Sequence, residues 1–356
     1  MSKSFQPDWI SPPGNTIIDI LGERQIPIDT FAERMNFSVT QANNLLIGLG
    51  SITLDVAEQL ADFLGASKEF WIRREHQYRD SVINLEKIEQ DSWLSSLPIK
   101  DMIKFGYVSN QGDRLTECLH FFNIPDIQSW KQRYSKELSS VNFRTSLTFE
   151  NHPASVATWI RMGEIDTQNI ECAPWNLSLF QESLTKIRAL ARQKDPQIFI
   201  PKLKEICAAC GVAIGVVKTP NGCSASGATK FIDTNRALLL LSFRHLSDDQ
   251  FWFTFFHEAG HLILHGKDTL FIEEKPNQND VWDIREEEAN NFSAEVLIPT
   301  EFRYELSRIP LHKRGIVNFS MKVGISPGIV IGQMQFSGRI RHNQLNSFKR
   351  RYKWEA

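Results

Sequence analysis

The sequence predicts an α+β chain, mainly α, and three observations predict it. Apolar residues recur at helical spacing, with cap signals between them, from residue 10 to about 195. Strand-like runs are confined to one short stretch: Val212–Val217, Ala228–Ile232 and Ala237–Leu241. Helical patterning returns from Phe251 onward, and there histidines and glutamates gather. The organisation expected is an all-α module over 10–83, a helical connector over 84–195, a core with a small β-sheet over 196–300, and a basic helical segment over 301–356. A length of 356 residues suits two or three domains.

The N-terminal module opens at Pro12-Pro13-Gly14. Ile17, Ile18 and Leu21 mark a first helix, and Ile28, Phe31, Ala32 and Met35 a short second one. Ser38 with Gln41 three residues later is a capping-box signature, opening a helix through Ala42, Leu45 and Leu46. Thr53 caps the next helix and Ser67 the last. Two short helices joined by a tight turn and followed by more helices fit a helix-turn-helix domain. Its recognition helix would be Ser38–Ile47, with Thr40, Gln41, Asn43 and Asn44 facing outward; Asn and Gln can read adenine edges. That helix has no cation. Residues 1–91 hold eight Lys and Arg against fourteen Asp and Glu, a net of −6. Phosphate binding needs positive charge, so the module is open to two readings, a DNA reader or a protein-docking and dimerisation domain.

From 84 to 195 short apolar helices follow one another, with no catalytic constellation among them. Residues 197–243 bring the strands, with Asp233-Thr234-Asn235 as turn chemistry between the last two. Cys207 and Cys210 form a C-x-x-C that reads as buried packing at a helix end. Five cysteines, an odd and sparse count, argue against a disulfide framework. Bulk charge, −2 overall, points to no partner class. No apolar run approaches the ~18–20 residues of a membrane span, and the N-terminus lacks the apolar core of a signal peptide. A cytoplasmic chain with no membrane partner is expected.

The chemistry concentrates between Phe251 and Pro299. H-E-x-x-H stands at His257, Glu258 and His261 inside an almost wholly apolar segment. On a helix, positions four apart share a face, so the two histidines can hold one metal ion. Glu258 lies beside that ion, where it can take a proton from a water: the zincin arrangement. A third ligand is needed. Glu286, Glu287 and Glu288 precede Ala289, Asn290 and Phe292, again in a helical pattern. Glu286, three before Ala289, shares the inward side and is the chosen ligand. Glu288 is the alternative, and Asn290 is placed to steady a ligating histidine or the ligand helix. The sheet would sit under this helix; in zincins an edge strand of such a sheet pairs with an extended substrate, and Gly222–Gly227 would border that cleft. Cys223 there is read as having no role. Tyr304 and His265 are candidate oxyanion stabilisers.

After Pro299 the chain turns basic: eleven Lys and Arg against three Glu over 301–356, a net of +8. Val317–Val323 and Ile329–Met334 look like a second helix-turn-helix-like pair. Arg339, Arg341, Lys349, Arg350 and Arg351, with Phe348, Tyr352 and Trp354 interleaved, read either as a phosphate-binding surface or as a terminal segment offsetting the acidic N-terminal module.

These motifs carry two resemblances. H-E-A-G-H-L-I-L-H-G followed by E-x-E-A-N-x-F-S-A-E-x-L-I-P resembles the ImmA/IrrE family of bacterial metallopeptidases. The likeness extends upstream to G-A-T-K-F at Gly227–Phe231 and downstream to the C-terminus. It implies a zincin-like metallopeptidase core in which His257, His261 and Glu286 hold zinc and Glu258 is the general base. Ser293 stands where that family often has Ala. The implied substrate is a repressor-like regulator, cleaved to release stress, mobile-element or defence genes. Residues 10–83 resemble the HigA-type antitoxin branch of the lambda-repressor-like fold, through P-G-N-T-I-I-D, F-S-V-T-Q-A-N-N-L-L and L-A-D-F-L-G-A-S-K-E-F-W. The alternative function is a DNA-binding regulator or toxin–antitoxin partner protein that uses the peptidase fold as a sensor. DNA and a second copy of the chain stay open as partners.

Overall fold

A computed structural model describes residues 10–142, 152–266, 270–273 and 284–354. The chain divides into two compact units, Met1–Trp93 and Leu94–Ala356. The first is all helix: α1 (Pro13–Glu23), α2 (Ile28–Arg34), α3 (Val39–Leu46), α4 (Leu54–Leu64) and α5 (Lys68–Ser96). The expected boundary at 83/84 falls inside α5. No Gly or Pro occurs between Lys68 and Leu97 to stop that helix, so it runs on to Ser96.

The predicted caps form. Ser38 N–H donates to Gln41 Oε1 at 2.9 Å and Gln41 N–H to Ser38 Oγ at 3.2 Å. Thr53 and Ser67 hydroxyls accept from Val56 and Phe70 N–H at 3.3 and 3.2 Å. Ile17, Phe31, Met35, Ala42, Leu60 and Trp71 are buried together, and the Trp71 indole donates to the Gly65 carbonyl at 3.0 Å. Thr40, Gln41, Asn43 and Asn44 are all exposed on α3, although the Gln41 side-chain oxygen is engaged in the cap.

The second unit continues with α6 (Ile99–Lys104), α7 (Arg114–Phe122), α8 (Ile127–Asn142), α9 (Pro153–Thr167), α10 (Leu177–Leu190) and α11 (Pro196–Ala208). Then come β1 (Val212–Val216), β2 (Gly227–Asp233) and β3 (Arg236–Leu241), and α12 (Asp248–Leu264). The chain ends through β4 (Phe271–Glu273), α13 (Ile284–Leu297), α14 (Thr300–Leu306), α15 (Lys313–Val323) and α16 (Pro327–Phe336). Asp233 forms the expected turn before β3, its carboxylate accepting from Asn235 N–H at 2.7 Å.

The sheet order is β1-β3-β2-β4, with β1 parallel to β3 and the other pairs antiparallel. A strand buried on both faces reads as a continuous apolar run, and β3 is the chain's example: Ala237 to Leu241 are all buried. Leu239 and Leu241 join the main core with Phe199, Phe251, Trp252 and Phe255. Leu240 faces α9, where a Cβ on Gly163 would lie 2.3 Å from its side chain. Only glycine lets that helix sit so close. The Trp159 indole on α9 donates to the Val217 carbonyl at 3.0 Å. A helix from the expected connector thus forms one layer of the sheet. Cys207 and Cys210 are buried free thiols at the end of α11, and burial pushes both above the ordinary thiol range.

The basic C-terminus is largely spent inside this unit. Lys349, almost buried, pairs with Asp249 at 2.6 Å and also donates to Gln335 Oε1 at 2.6 Å. Arg350 donates to the carbonyls of Ala191, Arg192 and Gln193 just beyond α10 at 2.8–3.3 Å. Arg339 donates to the Leu306 carbonyl and, at 2.5 Å, to that of Ile309. Arg351 reaches the His245 carbonyl at 3.3 Å, and Arg341 is exposed. Cations at the carbonyl ends of helices are well placed, so Arg339 and Arg350 serve local structure. Among the described residues, no single helix is long and apolar enough to cross a membrane.

Candidate metal centre

Helix α12 begins at Asp248 and buries a run of aromatics: Phe251, Trp252, Phe255 and Phe256. These rings lock the helix under the sheet and fix where its next turn points. His257, Glu258 and His261 are each 0–1% exposed. Burying three such polar groups needs specific partners, and all three find them.

Helix α13 crosses at Gly260. A Cβ there would lie 3.1 Å from the Phe292 ring and 3.3 Å from the Ala289 Cα, closer than nearly all real Cβ contacts. The glycine lets the two backbones approach, and the Ser293 hydroxyl ties them by donating to the Phe253 carbonyl at 2.9 Å. That closeness brings Glu286, one turn before Ala289, over the histidines. His257 Nε2 lies 3.0 Å from His261 Nε2, 3.2 Å from Glu286 Oε2, and Glu286 Oε1 lies 3.3 Å from His261 Nε2. His257, His261 and Glu286 form the one cluster of three metal-ligating groups found among the described residues.

The cluster fits a zinc ion. Ligands about 2.0–2.1 Å from one tetrahedral zinc are roughly 3.3–3.4 Å from each other, close to the separations present. The donor set, two imidazoles and a carboxylate, is one zinc takes. The protonation states also suit it. Burial pushes His261 down to about 4, against the opposing hydrogen bond and charge of Glu286, so the imidazole is neutral at neutral pH. Burial raises Glu286, but hydrogen bonds and charge from His257 and His261 outweigh it and hold the carboxyl well below the usual range.

Glu258 meets β2. Its Oε2 accepts from the Thr229 hydroxyl at 3.0 Å. Gly227, two residues earlier on β2, leaves room for the carboxylate: a Cβ there would lie 2.6 Å from Glu258 Oε1. His257 Nδ1 meets Asn290 Oδ1 at 3.0 Å. Glu288, the alternative ligand, instead meets His265 Nε2 at 3.0 Å, and His265 Nδ1 meets His261 Nδ1 at 3.0 Å. Tyr304 is 67% exposed, stacked under the Arg308 guanidinium at 4.3 Å. Cys223 is buried outside the cluster.

The sheet has a fourth strand beyond the three expected. The edge of β2 beside Glu258 is not free, because β4 pairs with it through Gly227–Glu273, Ala228–Ile272 and Thr229–Phe271. Phe271 from β4 stacks on the His261 ring at 4.1 Å and 15°. Among the described residues, β4 is the edge strand on this side of the sheet. A strand of three residues shows no alternation in sequence, so nothing announced it. Thr229 was also missed as a partner of Glu258, although it lies within the quoted G-A-T-K-F stretch.

Residues 216–323 match the family model Peptidase_M78, the IrrE N-terminal-like domain. The matched region runs from the end of β1 to the end of α15 and contains every residue of the cluster. It supports a metallopeptidase of the ImmA/IrrE type. No curated protein matches the chain.

Proposed function

We propose that this chain is a zinc-dependent endopeptidase that hydrolyses a repressor-like regulatory protein in the cytoplasm, releasing genes for stress response, mobile elements or defence. The observation that carries the reading is the cluster of His257, His261 and Glu286 with a buried carboxylate, Glu258, beside it. Zinc, when bound, supplies Lewis acidity toward a scissile carbonyl and lowers the pKa of water. The chain's own residues do the rest. Glu258, held by Thr229, takes a proton from the attacking water as the water oxygen joins the carbonyl carbon. The same carboxyl then gives that proton to the leaving nitrogen as the C–N bond breaks. The products are a carboxylate and an amine.

Metal content paired with cleavage tests this. Wild type and Glu258→Gln are incubated with lysate, or with a regulator encoded beside the gene. One zinc per chain in both, with cleavage by wild type alone, supports the peptidase and its base. No metal in wild type after zinc addition refutes the ligand assignment. The second reading, a DNA-binding regulator or toxin–antitoxin partner with a sensor peptidase fold, draws on the exposed Thr40, Gln41, Asn43 and Asn44 on α3. It requires operator binding and a phenotype that survives Glu258→Gln.

A further inference from the structure

We propose that His265 and Glu288 form a positioning relay for the zinc ligand His261. The relay fixes the ring's tautomer and orientation and thereby sets the zinc affinity of the site. The inference rests on the zinc reading above and assigns work to two residues that the reading leaves without any.

Three contacts in a row fix where the ring protons sit. His261 turns Nε2 toward His257 Nε2 and Glu286. An imidazole that gives Nε2 to a metal carries its proton on Nδ1. That Nδ1 lies 3.0 Å from His265 Nδ1. Two ring nitrogens this close need one donor and one acceptor, so His265 Nδ1 must be the acceptor. The His265 proton then belongs on Nε2, which lies 3.0 Å from Glu288 Oε2. A carboxylate is an acceptor only. One arrangement satisfies every contact: His261 N–H to His265, and His265 N–H to Glu288.

Local structure holds the relay in place. His265 is four residues after His261 and so shares its face of α12. It is the C-cap residue, its own N–H bonded to the His261 carbonyl at 3.1 Å. Its side chain is 5% exposed, and Phe271 lies against both rings, at 4.1 Å from His261 and 5.5 Å from His265. Glu288 follows the ligand Glu286 by two residues on α13. The two zinc histidines therefore differ in their support. His257 leans on a neutral amide, Asn290; His261 leans on an imidazole backed by a carboxylate, the kind of outer partner that fixes a ligating ring. The engagement of Glu288 also explains why the second glutamate of E-x-E is not itself a ligand.

The test is the zinc dissociation constant of the full chain, measured by competition with a chelating dye, alongside the melting temperature of the metal-free protein. His265→Leu removes the acceptor while keeping bulk, and zinc affinity falls roughly 10–100-fold. His265→Asn keeps an oxygen near the place of Nδ1, as Asn290 provides for His257, and stays within about threefold of wild type. Glu288→Ala, at a half-exposed position that folding tolerates, weakens zinc by about three- to tenfold. Wild-type affinity in His265→Leu overturns the relay. So does an equal loss in His265→Asn, because that would mark packing and not an acceptor. Wild-type affinity in Glu288→Ala removes the carboxylate from it and refutes the relay as stated. Wild type that binds no zinc refutes the zinc reading itself, a result distinct from all of these.

Discussion

Gly227→Ala is the most telling single change, because it reaches the proposed base without touching a zinc ligand. A methyl at 227 would lie 2.6 Å from Glu258 Oε1, 2.6 Å from Thr254 Cγ2 and 2.7 Å from Glu258 Cγ. Ordinary contact begins at 3.4 Å, so something must move by about 0.7–0.8 Å. The strand cannot easily retreat, since Gly227 is paired with Leu241 of β3 on one side and Glu273 of β4 on the other. The α12 backbone is pinned from behind by α13 at Gly260. The Glu258 side chain therefore yields, and its hydrogen bond from Thr229 is lost. Misplacement of a catalytic group by ~1 Å costs on the order of 100-fold in rate. Overpacking itself costs about 1–3 kcal/mol of stability. None of His257, His261 and Glu286 is among the atoms nearest a methyl at 227, so zinc affinity stays within about twofold, since no ligand is removed. The assay is single-turnover cleavage by zinc-loaded protein, with metal content measured on the same sample. A zinc-loaded variant that cleaves at the wild-type rate would refute the placement of Glu258 against β2.

Glu286→Gln should weaken zinc binding by about 100-fold or more, since the anionic ligand is lost; a variant that keeps wild-type affinity in a chelator titration would require another third ligand. Lys349→Met leaves the buried Asp249 carboxylate without its cation and should cost about 3 kcal/mol, read from urea unfolding. If Lys349 were a phosphate contact, the loss would appear instead as weaker DNA binding at unchanged stability. Glu164, on α9, faces Lys230 of β2 at 2.7 Å, Arg161 at 2.8 Å and Arg133 at 3.4 Å. Burial raises its pKa, but the charge and hydrogen bonds of those cations outweigh it and hold the carboxyl below its ordinary 4.5. A depressed folded pKa gives stability that is present above the unfolded value and lost as pH falls through the folded one. Glu164→Gln should thus cost roughly 2–4 kcal/mol at pH 7, with the gap to wild type closing below about pH 4. A gap that stays constant from pH 7 to pH 3 would rule out the ion-pair origin.

The parts of the site legible in sequence share one property: their spacing is short and periodic. His257, Glu258 and His261 are set by one helical turn, and Glu286 could be picked over Glu287 because it lies three before the apolar Ala289. Strand β3 was legible for a related reason, since it is buried on both faces and so reads as an unbroken apolar run. The basic C-terminus shows the opposite case. Charge counting registers eleven cations but not their partners. Arg350 reaches Ala191, 159 positions away, and Lys349 reaches Asp249, 100 positions away. Nothing periodic links such residues, so a surface for phosphate and a set of internal clamps look alike until the chain is folded.

The same distinction separates the residues proposed to hold the metal from those proposed to tune it. The proposed ligands sit on two helices, α12 and α13, separated in the chain by β4, and a helix carries its own geometry. Thr229 and Gly227 act on Glu258 only because β2 lies beyond β3 in a sheet whose order departs from the chain order. Phe271 acts on His261 only because three residues of β4 close over the edge of β2. His265 was visible as one more turn of α12, and Glu288 as one more glutamate of α13. Their pairing required the crossing of the two helices at Gly260, which a spacing rule cannot supply. A motif thus locates the candidate site, while the contacts around the proposed base and ligands come from packing between elements, where changes such as Gly227→Ala and His265→Leu are expected to take effect.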